Sequence, residues 1–304
     1  MDTNPPGKQV IIIAGPTAVG KTALAIRVAK AFGTEIISAD SRQCYREMNI
    51  GVARPSPEEL AEVPHHFIAT HSIHEEVTAA VFEEYTLAKT TALFTQHDTV
   101  VMTGGTGLYL KAFADGLDPV PPGDPDVRRQ ILASYETGGL AWLQDELQKN
   151  DPLFVSEGEI RNPQRAMRAL EVALVSGRSI LSFHTGTRSP RGFRIIRTAI
   201  NLPRETLNQR INDRVNAMMS AGLLEEAQDL YPFRRLNALR TVGYSELFDY
   251  IDGNLTLDEA TGLIATHSRQ YAKRQVTWFR RDPEFRWFTP EDASGIITLA
   301  GNNR

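Results

Sequence analysis

Apolar positions follow two rhythms along this chain. Unbroken runs such as Val10-Ile11-Ile12-Ile13-Ala14 and Val100-Val101-Met102 carry no polar interruption, which marks strands buried on both faces. Strands are therefore expected over residues 9–14, 35–38 and 99–103. Between them the apolar residues switch to helical spacing, as in Ala23 to Lys30. Strand and helix in alternation predict a parallel sheet covered by helices, an α/β fold.

The rhythm breaks at "DGLDPVPPGDPD", residues 115–126, a turn-rich stretch that reads as a boundary. Helical patterns follow over residues 127–137 and 140–149, and then in "NPQRAMRALEVALVSG". There Asn162 is placed to cap, Pro163 sits at the first helical position and Gly177 follows the end. "FRIIRTAINL", residues 193–202, looks like a return to the sheet. The expected organisation is one α/β core, residues 1–116 and 193–304, carrying a helical insertion, residues 117–192. The last long helix opens on "TLDE", with Thr256 and Glu259 at capping-box spacing.

Length and composition change this picture little. With 304 residues, 41% hydrophobic and 23% charged, the chain can bury a substantial core. Its single cysteine, Cys44, excludes intramolecular disulfides and cysteine-cluster metal sites. The polar start "MDTNPPGKQV" lacks a signal core, and no apolar stretch approaches membrane-spanning length, so a cytoplasmic protein with no membrane association is expected.

Charge changes it more. The net charge of −4 conceals a segregation of sign: seven glutamates and no lysine or arginine lie from Glu58 to Glu84. From Arg161 to Arg214 there are eleven arginines, no lysine and only Glu171, Glu205 and Asp213 as acids. Guanidinium groups suit bidentate phosphate contacts and base stacking, so an arginine-only run points to a nucleic-acid partner. On the helix after Pro163, Gln164, Arg165 and Arg168 share an arc of about 100° while Met167, Leu170 and Leu174 lie opposite.

The sharpest chemistry sits after the first strand. "GPTAVGKT" is Gly15, Pro16, Thr17, Ala18, Val19, Gly20, Lys21 and Thr22, with a buried strand before it and a helix after it. Glycine-rich backbone wraps an anion, the helix N-terminus adds its dipole, Lys21 adds charge and the Thr22 hydroxyl can hold magnesium. The sheet is thus expected to be of the P-loop NTPase-like kind. The strand ending near Met102 runs into "TGGTG" without the metal-positioning acid of an ATPase, and no guanine-specificity Asn-Lys-x-Asp run occurs. A motor or GTPase is disfavoured; a small-molecule kinase or a diphosphate-using transferase remains.

"ISADSRQCYREMNIG" follows the second strand and brings Asp40 to the carboxyl edge of the sheet, where open α/β folds bind ligands. A carboxylate there can take a proton from a poor nucleophile such as an exocyclic amine, or it can simply cap the following turn. Thr106 in "TGGTGLY" reaches the same edge from the third strand.

With these loops in hand, the chain resembles the tRNA dimethylallyltransferase family, bacterial type. Eight blocks carry the likeness in order: "GPTAVGKT", "SADSRQCYR", "VPHHFI", "GGTGLYLKA", "NPQRAMRALEV", "RINDRVNAMMSAGLLEEAQDL", "LRTVGYSEL" and "RQYAKRQVTWFRR". The resemblance implies transfer of a dimethylallyl group from dimethylallyl diphosphate to the exocyclic amine of the adenine 3′-adjacent to the anticodon, in tRNAs reading codons that begin with U. It implies that the cradle binds the diphosphate, with Lys21 acting in catalysis and magnesium on Thr22. Asp40 would be the general base and Thr106 would hold the reacting groups. Asp40, Ser41, Arg42 and Gln43, with Arg128 and Gln164, Arg165, Ala166, Met167 and Arg168, would contact the tRNA anticodon loop. It also suggests a monomer. Val19, Cys44, Ala69 and Asn208 depart from residues common in the family, and the cysteine and histidine tail extension of eukaryotic relatives is absent. His65, His66, His71 and His74 cluster in sequence without a companion acid on a shared helical face, and the paired histidines also belong to the family pattern.

An adenylate isopentenyltransferase would share the cradle and the acid but has no use for the arginine-rich insertion. A small-molecule P-loop kinase would consume ATP stoichiometrically. A non-catalytic RNA-binding switch would not need Asp40 beside the cradle.

Overall fold

The computed structural model describes residues 7–301. Six parallel strands form one sheet among the described residues, in the order β3-β2-β4-β1-β5-β6. They are β1 (Gln9–Ala14), β2 (Ile36–Ser38), β3 (His65–His66), β4 (Thr99–Gly104), β5 (Arg194–Ile200) and β6 (Arg286–Phe288). The apolar runs became the strands expected of them. The edge strands β3 and β6 were not foreseen, because two or three residues with polar neighbours leave no hydrophobic rhythm; backbone pairing alone makes them.

β1 is buried along its whole length. Val10, Ile12 and Ala14 enter the core on one face of the sheet, Ile11 and Ile13 the core on the other. That alternation explains why the strand had to be apolar throughout. The first face carries Phe67, Phe82, Tyr109, Phe113 and Tyr244, and the second carries Leu24, Val28, Ile211 and Ile296.

Helices α1 (Lys21–Phe32), α2 (Pro57–Glu62), α3 (Ala79–Leu93) and α4 (Gly107–Asp115) lie between the early strands in sequence. After β5 come α8 (Arg204–Ser220), α9 (Leu223–Leu230), α10 (Tyr244–Ile251), α11 (Leu257–Arg280) and α12 (Ala293–Gly301). α11 begins with the capping box expected at Thr256 and Glu259: each side chain bonds the other residue's backbone N–H. No helix among the described residues is long and apolar enough to cross a membrane.

The chain divides into two compact units, residues up to Ala114 with those from Pro190 on, and Asp115–Ser189. The second holds α5 (Pro125–Asn150), α6 (Pro152–Glu157) and α7 (Pro163–Ser176) around Ile131, Leu143, Leu147, Phe154, Met167 and Leu170. The two helical patterns read over 127–137 and 140–149 are one element broken at Gly139 (φ 62°, ψ −159°), a conformation that glycine alone adopts readily. α7 is capped by Asn162, starts on Pro163 and ends at Gly177 in the left-handed region.

Candidate active site

Strand register assembles the site. Ala14 pairs with Gly104 and Ser38 with Thr103, so the loops leaving β1, β2 and β4 open side by side at the carboxyl edge of the sheet. The first is the phosphate cradle. Gly20, at φ 101°, turns the chain into α1, and Ala18 holds φ 61°, a conformation costing an L residue about 1 kcal/mol. Pro16 has no N–H to offer an anion, and Val19 is fully buried; both serve the cradle through its shape. The apolar Val19 packs in the sheet's second core.

Lys21 donates from Nζ to Pro16 O at 2.7 Å. Burial pulls its pKa down to about 8, against the opposing pull of Asp40 and with a further push from the cationic Arg214. A cation short of solvation is primed for a diphosphate. Thr22 and Lys21 line a cavity of about 280 Å³ together with Asp40, Arg214, Tyr271 and Gln275.

Asp40 does cap a turn: its Oδ1 accepts from Arg42 N at 2.9 Å and Gln43 N at 3.3 Å. Those bonds orient the carboxylate, and Asp40 still lines both the cradle cavity and a neighbouring one of about 600 Å³. The capping and functional readings are thus compatible. Thr106 Oγ1 accepts from Ser41 N at 3.0 Å and donates to Ser41 Oγ at 3.3 Å. Gln43 turns inward, donating to Val52 O and Ala53 O at 3.3 and 2.9 Å and accepting from Ser38 Oγ at 3.1 Å. Its amide holds the cavity wall. Ser41 and Arg42 line the larger cavity with Arg240, His267 and Arg274.

In the helical unit the anticipated surface is only partly a surface. Gln164 and Arg165 are exposed, and Arg165 pairs with Glu159. Ala166 and Met167 are 0% and 2% exposed and belong to that unit's core, so their side chains are not available to a partner. A residue span names neighbours in sequence, whereas a helix turns consecutive side chains about 100° apart. Arg168 donates to Glu171 Oε2 at 2.8 Å and Pro121 O at 2.6 Å. Arg128 reaches Gln164 Oε1 at 3.4 Å and Glu171 at 3.8 Å.

The arginine-only run needs a correction of the same kind. Arg197 is 9% exposed and bonded to Asp282 at 2.7 Å. Arg191 bonds Glu83, Phe113 O and Ala112 O. Both are structural ion pairs whose acids lie far away in sequence, where no local charge count sees them. The histidines have separate partners: His66 meets Glu35 at 2.5 Å, His65 meets Val63 O, His71 meets Thr70 and His74 packs edge-on against Phe233.

The family model for IPP transferase matches residues 43–282. The chain belongs to this family. A tRNA dimethylallyltransferase of Cytophaga hutchinsonii is 45% identical over 292 residues, 96% of each chain. Another, tRNA dimethylallyltransferase 1 of Phocaeicola vulgatus, is 45% identical over 95% of this chain and 96% of its own. The crystal structure of the full-length tRNA isopentenylpyrophosphate transferase from Bacillus halodurans superposes with a TM-score of 0.71 at 34% identity, covering 97% of this chain and 95% of that one.

Against this transferase family, three side chains complete the site that the sequence did not assign to it. Arg214, counted only as one of a run, donates from Nη1 to Thr17 Oγ1 at 3.2 Å and lines both cavities. Tyr271, on α11, lines both cavities beside Asp40. Gln275, from the same α11 stripe, reaches into the cradle. Tyr271, Gln275 and Trp278 stand at helical spacing on α11, but nothing in the sequence says which loops they meet.

Proposed function

We propose that the protein transfers a dimethylallyl group from dimethylallyl diphosphate to the exocyclic amine of the adenine 3′-adjacent to the anticodon, in tRNAs reading codons that begin with U. The observation carrying this reading is the convergence of Lys21, Asp40, Thr106 and Arg214 at one sheet edge, from loops and helices scattered over the chain. Relatives named tRNA dimethylallyltransferase at 45% identity over nearly the whole length support it.

In this reading the diphosphate lies in the cradle of residues 15–22, where Lys21, Arg214 and backbone N–H groups stabilise the charge that develops on the leaving oxygen. The amine nitrogen forms its bond to the allylic carbon as the carbon–oxygen bond breaks. Asp40 takes the proton the nitrogen must lose, and pyrophosphate departs. Thr106, fixed by Ser41, holds the reacting groups.

A divalent metal is consistent with a diphosphate substrate. The Thr22 hydroxyl lines the cradle cavity and is an oxygen donor of the kind that magnesium takes. Bound there, it would neutralise diphosphate charge. Because the target base is stacked in an anticodon loop, it must be extruded to be read and modified. The 600 Å³ cavity, bordered by Asp40, Arg240 and Tyr271, is the space offered for it, and Gln164, Arg165, Arg168 and Arg128 are the contacts offered to the tRNA backbone.

Radiolabelled dimethylallyl diphosphate, offered with magnesium to unmodified tRNA in one tube and to AMP or ATP in another, tests this. Label in tRNA alone is the expected result. Label in the free nucleotide would make the protein an adenylate isopentenyltransferase, and label in neither would return it to the small-molecule kinases.

A further inference from the structure

We infer that Gln275 is a positioning residue: its buried side-chain amide clamps the phosphate cradle to the Thr106 loop and sets the spacing between leaving group and attacking amine. The inference rests on the transferase reading above.

Gln275 is 6% exposed. Its Oε1 accepts from Thr17 N at 2.9 Å, and its Nε2 donates to Gly105 O at 2.9 Å. Thr17 and Gly105 lie 258 and 170 residues away in sequence, on loops leaving different strands. The amide can point only one way. Reversed, it would set two donors against each other at Thr17 and two acceptors at Gly105, a mismatch that burial makes severe.

Two glycines of "TGGTG", Gly105 and Gly107, make room for this docking. A Cβ on Gly105 would come within 2.2 Å of Gln275 Nε2, and one on Gly107 within 2.2 Å of the Trp278 ring. The lack of a side chain at Gly105 and Gly107 is what lets α11 approach. Each end of the clamp then leads to reacting groups. Thr17 sits in the cradle and receives Arg214. Gly105 precedes Thr106, whose hydroxyl holds Ser41 beside Asp40.

Carbon transfer from an oxygen to a nitrogen needs the reacting atoms about 3–3.5 Å apart and in line, and a displacement of about 1 Å costs about 100-fold. A clamp of this kind acts on turnover and leaves diphosphate affinity nearly untouched.

Two variants test it. Gln275→Met keeps the volume and removes both bonds. Gln275→Glu keeps an acceptor for Thr17 N–H; ionised, it sets a second oxygen against Gly105 O, whereas protonated it regains the missing donor. With tRNA and dimethylallyl diphosphate saturating, single-turnover transfer by Gln275→Met should fall by about 30- to 300-fold while pyrophosphate affinity stays within about threefold. The rate of Gln275→Glu relative to the wild type at the same pH should rise at least about tenfold from pH 9 to pH 6, as the carboxyl takes up its proton. The Gln275→Met ratio should stay flat. Near wild-type transfer by Gln275→Met, a flat Gln275→Glu ratio, or a loss confined to pyrophosphate affinity would each overturn the clamp. Should Gln275→Met fail to fold, Gly105→Ala pushes the amide away from the other side and should show the same loss of rate. If the wild-type protein transfers nothing, the transferase reading fails by itself. The clamp is then judged by amide exchange in residues 15–22: faster exchange in Gln275→Met supports it and unchanged exchange overturns it.

Discussion

The sheet-edge site and the α7 helix both gather polar residues, but they hold them differently. At the edge, partners come from segments far apart in sequence: Ser41 meets Thr106, and Thr17 meets Gln275 and Arg214. On α7, polar groups bond within their own unit, Arg165 to Glu159 and Arg168 to Glu171 and Pro121 O. Groups that act on reacting atoms must be fixed before substrate arrives, and a parallel sheet edge with buried neighbours supplies that fixity. Groups that meet a phosphate backbone need only net charge and reach, which an amphipathic helix presents without a tertiary network.

The largest effect expected from this contrast is at Asp40. Asp40→Ala should lower single-turnover transfer to tRNA by about 10²- to 10⁴-fold, the range of a general base, with pyrophosphate affinity by titration nearly unchanged. Transfer within threefold of wild type would strip Asp40 of that role and leave it a turn cap.

The second prediction separates core from surface on α7. Met167 is 2% exposed, so Met167→Ala should destabilise by about 2–5 kcal/mol, read as a drop in the thermal or urea midpoint. An unchanged midpoint with weakened tRNA binding would put Met167 back at an interface.

Next comes pH. With the Lys21 pKa at about 8 in the free protein, the cation is present below that pH and lost above it. Pyrophosphate affinity should therefore fall by about tenfold per pH unit once the pH is well above 8, until bound diphosphate's own stabilisation of the cation is exhausted. Calorimetric titration from pH 7 to pH 10 checks it, and a flat profile would mean that Lys21 stays charged throughout.

The smallest effect belongs to Arg165. Arg165→Gln should leave stability within about 0.5 kcal/mol, as for an exposed ion pair, and should lower the slope of log affinity for tRNA against log salt by about 1. Arg168→Gln should differ, losing about 1–3 kcal/mol of stability because Glu171, with a side chain only 6% exposed, keeps a buried charge with a weaker partner. Equal behaviour of the two variants would erase the distinction between a surface cation and a structural one.

Local chemistry made a good part of this protein legible. The apolar runs became β1, β2, β4 and β5 because a strand buried on both faces leaves no other pattern. The caps at Asn162 and Thr256 were readable because capping is settled within four residues. The cradle was readable for the same reason, its geometry being written in Gly15, Gly20, Lys21 and Thr22.

What required the tertiary structure were the meetings between distant segments. The arginine run looked uniform, yet Arg197 is tied to Asp282, Arg191 to Glu83 and Arg214 to Thr17, three different fates fixed by which elements pack together. Met167 and Arg168 are neighbours in the chain, but the turn of a helix buries one and leaves the other a partly exposed ion pair. Gln275 is one amide on a long helix until α11 docks over Gly105 and Gly107. Sequence by itself determined the four inner strands, the caps and the phosphate loop, because each depends on the residues beside it; packing decided the edge strands and which side chains share the reacting space, because only the assembled sheet edge brings them within hydrogen-bond reach.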